Sequence, residues 1–351
     1  MTLEELHEKA RLWDLQSSGT QIAPARYQEL IDELSYHSSR QFRIYLPSEH
    51  PDENPNYMER LAQWVGNVSD EADQKLLLEY ALRISFCSHE DFIAIYRSAF
   101  NTEITKWVAQ QVEATLNGVP FSDFMANVRH QLMLRTWFCP VTDSMDINEF
   151  YKVNHLTGIG HRPGFSTLHM LAEKAAAPDP SIASNLLHYM SNPSLDQHHP
   201  RPSIERVVLL EDIVGSANQC IDAVRWAVAN IPKPILFVPL VLCPNGAEKL
   251  RLLAQGSNGR LTVMPVVELR REEMLGSERR NETGWEFAPM MEVLATQCAS
   301  DASPQLNTFG YEGTGCSIAT FANTPNNSLP LIHNRPSTKS WNPLFPRVFR
   351  D

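Results

Sequence analysis

Arg206-Val-Val-Leu-Leu-Glu-Asp-Ile-Val-Gly-Ser-Ala-Asn-Gln219 reads as a strand, a short turn and the start of a helix. Four consecutive apolar residues, Val207 to Leu210, show no alternation. Such a strand is buried on both faces, as in a parallel sheet covered by helices. Two carboxylates, Glu211 and Asp212, close the strand, and a Gly-Ser pair follows before helical periodicity sets in over residues 218–229. Further on, residues 234–242 form a second buried strand, 248–255 a short helix and 261–268 a third strand. This β-α-β-α-β alternation predicts an α/β fold with a parallel sheet and right-handed crossovers.

Upstream, residues 132–138 are strand-like and run into a polar loop, 139–146. A Gly- and His-containing loop at 158–164 leads to helices over 166–176 and 180–190, then to a Pro-, Asn- and His-rich loop at 191–203. Residues 1–130 read as an all-helical region. Leu3, Leu6, Ala10, Leu12 and Leu15 fall near a helical period, and Tyr27, Leu30, Ile31 and Leu34 line one face of a helix over 23–34 that opens with Pro24. Residues 47–55 form a loop, and Ser69-Asp-Glu is a start signal for a helix carrying Leu76, Leu77, Tyr80, Ala81 and Ile84. Two more helices are expected at 89–100 and 105–116, and a last strand at 316–322. The expected division is a helical region, 1–130, an α/β domain, 131–335, and a C-terminal tail, 336–351.

The bulk properties agree with this plan. With 351 residues, 43% hydrophobic and 20% charged, the chain is long enough for two domains and apolar enough for a sizeable core. No apolar run reaches the roughly 18 residues of a membrane span, and the acidic, amphipathic N-terminus lacks the pattern of a signal peptide. A cytoplasmic protein with no membrane association is expected. The six cysteines are scattered without a CxxC pair, which predicts reduced thiols; no metal site is expected from them or from the histidines. The net charge of −11 disfavours direct nucleic-acid binding.

In an open parallel sheet, ligands bind beyond the carboxyl ends of the strands. Glu211 and Asp212 stand there. They suit charge-assisted hydrogen bonds from vicinal sugar hydroxyls, or contact with Mg2+ through water. At an exposed strand end they should be solvated, mutually repelling and without protein partners. The turn supplies backbone N–H groups and a helix N-terminus for a phosphate, with Gly215 permitting close approach and Ser216, Ala217, Asn218 and Gln219 forming the cradle.

Residues 207–219 resemble the phosphoribosyl pyrophosphate motif of type I phosphoribosyltransferases: four apolar residues, two acids, two apolar residues and a small loop. The pattern is most similar to phosphoribosyltransferase-like effector domains of bacterial conflict and antiphage-defence systems, some encoded beside retron reverse transcriptases. Their Glu-Asp-Phe-Val-Gly-Ser-Gly-Thr-Gln pattern is matched at Glu211, Asp212, Val214, Gly215, Ser216 and Gln219, while Ala217 and Asn218 depart from it. A second element, Cys316-Ser-Ile-Ala-Thr-Phe-Ala-Asn-Thr-Pro-Asn-Asn327, preceded by Gly310-Tyr311, is similar to that branch as well.

The resemblance implies that the two acids hold ribose hydroxyls and the loop holds a 5′-phosphate. It implies a pyrophosphate-binding loop after the first strand, for which Thr142, Asp143 and Ser144 are the candidates, with Arg162 as a supporting cation. Asn323, Asn326 and Asn327 become candidates for base or substrate contact beside the pocket. Mg2+ would enter through the phosphate and ribose hydroxyls. Two functions are open at this point: an effector enzyme acting at ribose C1 of a phosphoribosyl or nucleotide substrate, or a non-catalytic sensor of such a metabolite. In either case the N-terminal helices are expected to bind a protein partner or to self-associate.

Overall fold

The computed structural model describes residues 1–17, 26–48, 56–113, 120–156, 167–176, 181–191, 202–271, 274–275, 288–302, 307–335 and 341–348. The chain opens with α1 (Leu3–Ser17), α2 (Arg26–Arg40), α3 (Tyr57–Val65), α4 (Glu71–Ala81), the short strand β1 (Ser85–Cys87) and α5 (His89–Ser98). A π-helical turn, Ala99–Ile104, leads into α6 (Thr105–Glu113) and α7 (Phe121–Leu134). Then come β2 (Thr136–Pro140), α8 (Ile147–Val153), α9 (Leu168–Ala176), α10 (Ser181–Ser191), β3 (Arg206–Val214), α11 (Asn218–Asn230), β4 (Ile235–Leu242), α12 (Pro244–Gln255), β5 (Leu261–Val263) and β6 (Val267–Glu268). The chain ends with α13 (Ala288–Ala302), β7 (Ile318–Thr320) and α14 (Pro330–His333). The fold is α/β with parallel sheets, and helices come first. No helix among the described residues is long and apolar enough to cross a membrane.

The chain divides into two compact units, and not at residue 130: one is Ile93–Leu269, the other joins Met1–Phe92 to Arg270–Asp351. The N-terminal helices therefore do not form a unit of their own. They share a core with the C-terminal segment, in which Leu6, Trp13, Ile31, Leu61 and Trp64 cluster with Leu294, Ile332, Leu344 and Phe345. The described part of the expected tail belongs to this core: Arg60 donates from Nε to the Leu344 carbonyl at 2.8 Å, and Tyr45 Oη donates to the Pro346 carbonyl at 2.6 Å. Helix α4 is capped by Asp70, within the expected Ser69-Asp-Glu signal, and that carboxylate accepts from the N–H groups of Ala72 and Asp73. β1 pairs in parallel with β7, Phe86 opposite Ala319, as a two-stranded sheet. The last strand is thus not part of the large sheet.

In the unit 93–269 the strands run in the order β2-β3-β4-β5, all parallel, and β6 pairs with the far end of β4. Consecutive right-handed crossovers stepping one way along a sheet place their helices on one face. Accordingly Trp137, Cys139, Val207, Leu209, Ile235 and Phe237 cluster with Leu168 of α9, Met190 of α10, Val224 of α11 and Leu250 of α12. On the other face Phe138 packs among Phe100, Phe150 and Tyr151. Cover on both sides is why the central strands are continuously apolar.

Three strand boundaries differ from expectation. Residues 132–134 finish α7 and the strand starts at Thr136, running through Cys139 and Pro140. β3 continues through both acids to Val214, in register with β4 to Leu242. The expected strand at 261–268 is split into β5 and β6 around Pro265. The Pro239 carbonyl, which accepts from Val266 at 3.1 Å, faces this edge. The N–H that proline lacks would face it too, so the ladder misses a donor where it breaks.

Candidate functional site

The site is built from the carboxyl ends of β2 and β3. Their ladder extends one bond past β2, where Val141 N–H donates to the Leu210 carbonyl at 2.8 Å, so residue 142 arrives beside Glu211. Glu211 is only 3% exposed, and it is not the solvated carboxylate expected of an open strand end. Thr142 N–H donates to Glu211 Oε2 at 2.9 Å; Thr142 Oγ1 and Ser144 Oγ lie 2.5 and 3.2 Å from Oε1. Ser144 Oγ also lies 2.8 Å from Thr142 Oγ1 and 2.8 Å from Asp212 Oδ1. Asp212 is half-buried, and its Oδ1 accepts from Ile213 N–H at 2.7 Å.

Burial pushes the Glu211 carboxyl up to about 8, and the neighbouring Asp212 charge pushes the same way against the donors of Thr142 and Ser144. Burial raises the hydroxyl of Tyr96, and the charges of Asp212, Glu149 and Asp146 add to the rise. Cys220 of α11 is likewise raised by burial and then by Glu211. Asp143 is exposed and takes no part in these bonds.

The turn after β3 is tight. Gly215, Ser216 and Ala217 are buried, and Ala217 is the N-cap of α11 with φ 64° and ψ −2°. That conformation explains the glycine of the resembled pattern: the position is left-handed, and alanine enters it at a cost of about 1–2 kcal/mol. No side chain caps α11, and among the described residues nothing accepts from the N–H groups of Ser216, Ala217 or Gln219. Gly246 of α12 packs against this turn, since a Cβ there would stand 2.7 Å from the Gly215 carbonyl oxygen. From the same helix Lys249 donates to Asn218 Oδ1 at 2.5 Å.

Ala217→Gly should therefore stabilise the protein by up to about 1 kcal/mol, the relief of the left-handed strain exceeding the added freedom of glycine in the unfolded chain. Urea denaturation checks this, and a lower midpoint for the variant would mean that the turn is not held in this conformation.

Thr142 and Ser144 thus join Glu211 and Asp212, and Gly215 to Gln219 form one turn beside them. Asn323, Asn326 and Asn327 belong to the other compact unit and are engaged there. Asn323 donates to the Val348 carbonyl at 2.8 Å, Asn327 to Thr314 Oγ1 at 3.1 Å, and the Asn326 carbonyl accepts from Tyr311 N–H at 2.8 Å. Gly310-Tyr311 and Asn323–Asn327 therefore pack on each other. Arg162, His161 and the loop 158–164 lie outside the described residues, as do His198 and His199. None of the six cysteines, all among the described residues, is in a disulfide. Sequence reasoning missed Tyr96 and Lys249. Lys249 had a signal: it lies in the second turn of the helix that follows the neighbouring strand, and parallel strands bring such helix starts side by side.

No curated protein and no solved structure matches this chain. A family model does: it covers residues 61–347, most of the chain, and the protein, with its phosphoribosyltransferase-like domain, belongs to the PRTase-CE family.

Proposed function

We propose that the protein binds a 5-phosphoribosyl ligand at the carboxyl ends of β2 and β3 and acts at its ribose C1, as an effector in bacterial antiphage defence. The observation that carries the reading is the uncapped start of α11, where among the described residues nothing accepts from the N–H groups of Ser216, Ala217 and Gln219, a few residues from Asp212. Donors so arranged, at the positive end of a helix dipole, suit a phosphate. Asp212 would accept from the ribose hydroxyls, and Lys249 would add a charge to the same anion. A developing oxocarbenium ion at C1 would be stabilised by the Asp212 carboxylate. Mg2+ would be held by phosphate and ribose oxygens of the ligand. Asn323, Asn326 and Asn327 remain proposed substrate contacts, and a protein partner or self-association through α1 to α4 a proposed mode of assembly.

The test is incubation of the full-length protein with phosphoribosyl pyrophosphate and a panel of nucleotides in Mg2+, with pyrophosphate and free base followed by mass spectrometry. Release of either is the expected result. Saturable binding with no turnover selects the sensor reading, which the replaced loop residues Ala217 and Asn218 favour. Absence of binding to every compound overturns the phosphoribosyl reading.

A further inference from the structure

The two acids of the site are not equivalent. Three close oxygen–oxygen contacts link them: Glu211 Oε1 to Thr142 Oγ1 at 2.5 Å, Thr142 Oγ1 to Ser144 Oγ at 2.8 Å, and Ser144 Oγ to Asp212 Oδ1 at 2.8 Å; the approach of Ser144 Oγ to Glu211 Oε1, 3.2 Å, is longer than an ordinary O–H···O bond and takes no proton of its own. Each contact needs one proton between its oxygens. The two hydroxyls supply two protons, so a third must come from a carboxyl group. Placing it on Asp212 would leave the negative charge on Glu211, the more buried group, where an isolated charge is most costly. Placing it on Glu211 leaves the charge on half-buried Asp212. It also agrees with the second oxygen, since Oε2 accepts the Thr142 N–H at 2.9 Å and needs no proton of its own.

We infer that Glu211 is a positioning residue that acts as a neutral carboxylic acid: it donates to Thr142, Thr142 donates to Ser144, and Ser144 donates to Asp212, so that one carboxylate alone is presented to the ligand. The direction in which burial and Asp212 move the Glu211 carboxyl supports this. The inference rests on the proposed phosphoribosyl site only for what Asp212 is aimed at. It makes the loop 142–144 a clamp that fixes the Asp212 rotamer through Ser144. It assigns to Thr142 and Ser144 a duty within the protein, in place of the pyrophosphate contact that the resemblance implied.

Among the described residues, the titratable groups around Glu211 are Asp212 on its own strand and Cys220 from α11, with Lys249 of α12 acting on Cys220. Asp212 in turn acts on Tyr96, as do Asp146 and Glu149. Cys220 and Tyr96 are both raised and stay neutral while Glu211 titrates.

Glutamine copies the neutral acid, with an N–H for Thr142 Oγ1 and a carbonyl for Thr142 N–H. Full-length wild type, Glu211→Gln, Glu211→Ala and Asp212→Asn are compared in two measurements. The first is ligand-free: melting temperature from pH 5 to pH 9, with infrared difference spectra for a protonated carboxyl band. Glu211→Gln should melt near the wild type at pH 6, well above Glu211→Ala, and should lose the band. It should also gain on the wild type as pH rises. Parallel pH profiles for wild type and Glu211→Gln, or a Glu211→Gln protein as unstable as Glu211→Ala at pH 6, overturn the inference.

The second measurement is binding of phosphoribosyl pyrophosphate with Mg2+. Glu211→Gln should stay within about threefold of wild type while Asp212→Asn weakens by tenfold or more. If both variants weaken equally, the inference fails and the phosphoribosyl reading stands. If Asp212→Asn binds like the wild type, the phosphoribosyl reading fails, and the ligand-free pH profiles still decide the state of Glu211.

Discussion

Gly315→Ala should collapse the unit that joins the two ends of the chain. Gly315 has φ +67°, and an added Cβ would stand 1.2 Å from the carbonyl oxygen of Leu275 and 2.2 Å from its carbonyl carbon. Leu275 is fully buried, and its N–H donates to the Gly315 carbonyl at 2.7 Å, while Gly315 N–H donates to the Phe309 carbonyl at 2.7 Å. Backbone, not a yielding side chain, blocks the methyl group. The variant must therefore displace a buried peptide, break the bond to Leu275 and hold alanine left-handed. Left-handed strain of about 1–2 kcal/mol, a lost buried hydrogen bond of about 1–3 and overpacking of about 1–3 make a total of about 4 kcal/mol or more credible. That is a large fraction of the stability of any domain. For a unit of this size the thermal midpoint should fall by roughly 10 °C or more. A midpoint within about 2 °C of the wild type would mean that Leu275 does not cross this glycine.

The same glycine shows where sequence reading stops. The segment 206–219 was legible because its information is local: an apolar run sets the burial of β3, two acids mark its end and helical periodicity marks α11. The parallel sheet followed, since helices alternate with buried strands through residue 263. By contrast β1 and β7 pair across more than two hundred residues, and nothing in Ser85-Phe-Cys87 names Ile318-Ala-Thr320 as its partner. The fate of the C-terminal segment, built into the core of α1 to α4, depended on that pairing and on Phe42, Tyr57 and Phe86 meeting Phe345. Helix α3 did carry a local signal, the capping box of Asn56 and Glu59, hidden behind a loop-like stretch of prolines and acids.

At the site, the positions were legible but their states were not. That Thr142 and Ser144 follow a strand was readable. That they would bury Glu211 depended on β2 and β3 being neighbours in a set register. Ala217 carries no mark of its left-handed backbone; only comparison with a glycine-bearing pattern hinted at it.

Stability should accordingly depend on pH through Glu211. Its folded value is raised from the usual 4.5 to about 8, so the folded state holds a proton that the unfolded chain releases. The group's contribution is fully present below about 4.5 and is lost as pH rises through about 8, with a slope of at most about 1.4 kcal/mol per pH unit while one proton separates the states. The Glu211→Gln protein lacks this slope, which is why its advantage over the wild type should grow across that window.

Asp212→Asn should abolish function while sparing the fold. Two bonds of the carboxylate, from Ser144 Oγ at 2.8 Å and Ile213 N–H at 2.7 Å, end on Oδ1. An asparagine oxygen accepts them in the same place. The substitution also removes a negative charge from the half-buried end of β3, so the folded state gains what it loses in acceptor strength. The melting temperature should move by no more than a few degrees. Ligand binding is different, because ribose hydroxyls would meet an amide in place of a carboxylate, and a charge-assisted hydrogen bond contributes about 1.5–3 kcal/mol. The loss should weaken phosphoribosyl pyrophosphate binding roughly ten- to a hundredfold. Turnover should fall further, since in the proposed reaction the same charge would stabilise the transition state at C1. Calorimetry on the full-length variant reads the first effect, and pyrophosphate release together with growth of cells expressing the protein reads the second. A variant that folds, binds and acts like the wild type would place the chemistry elsewhere than the end of β3.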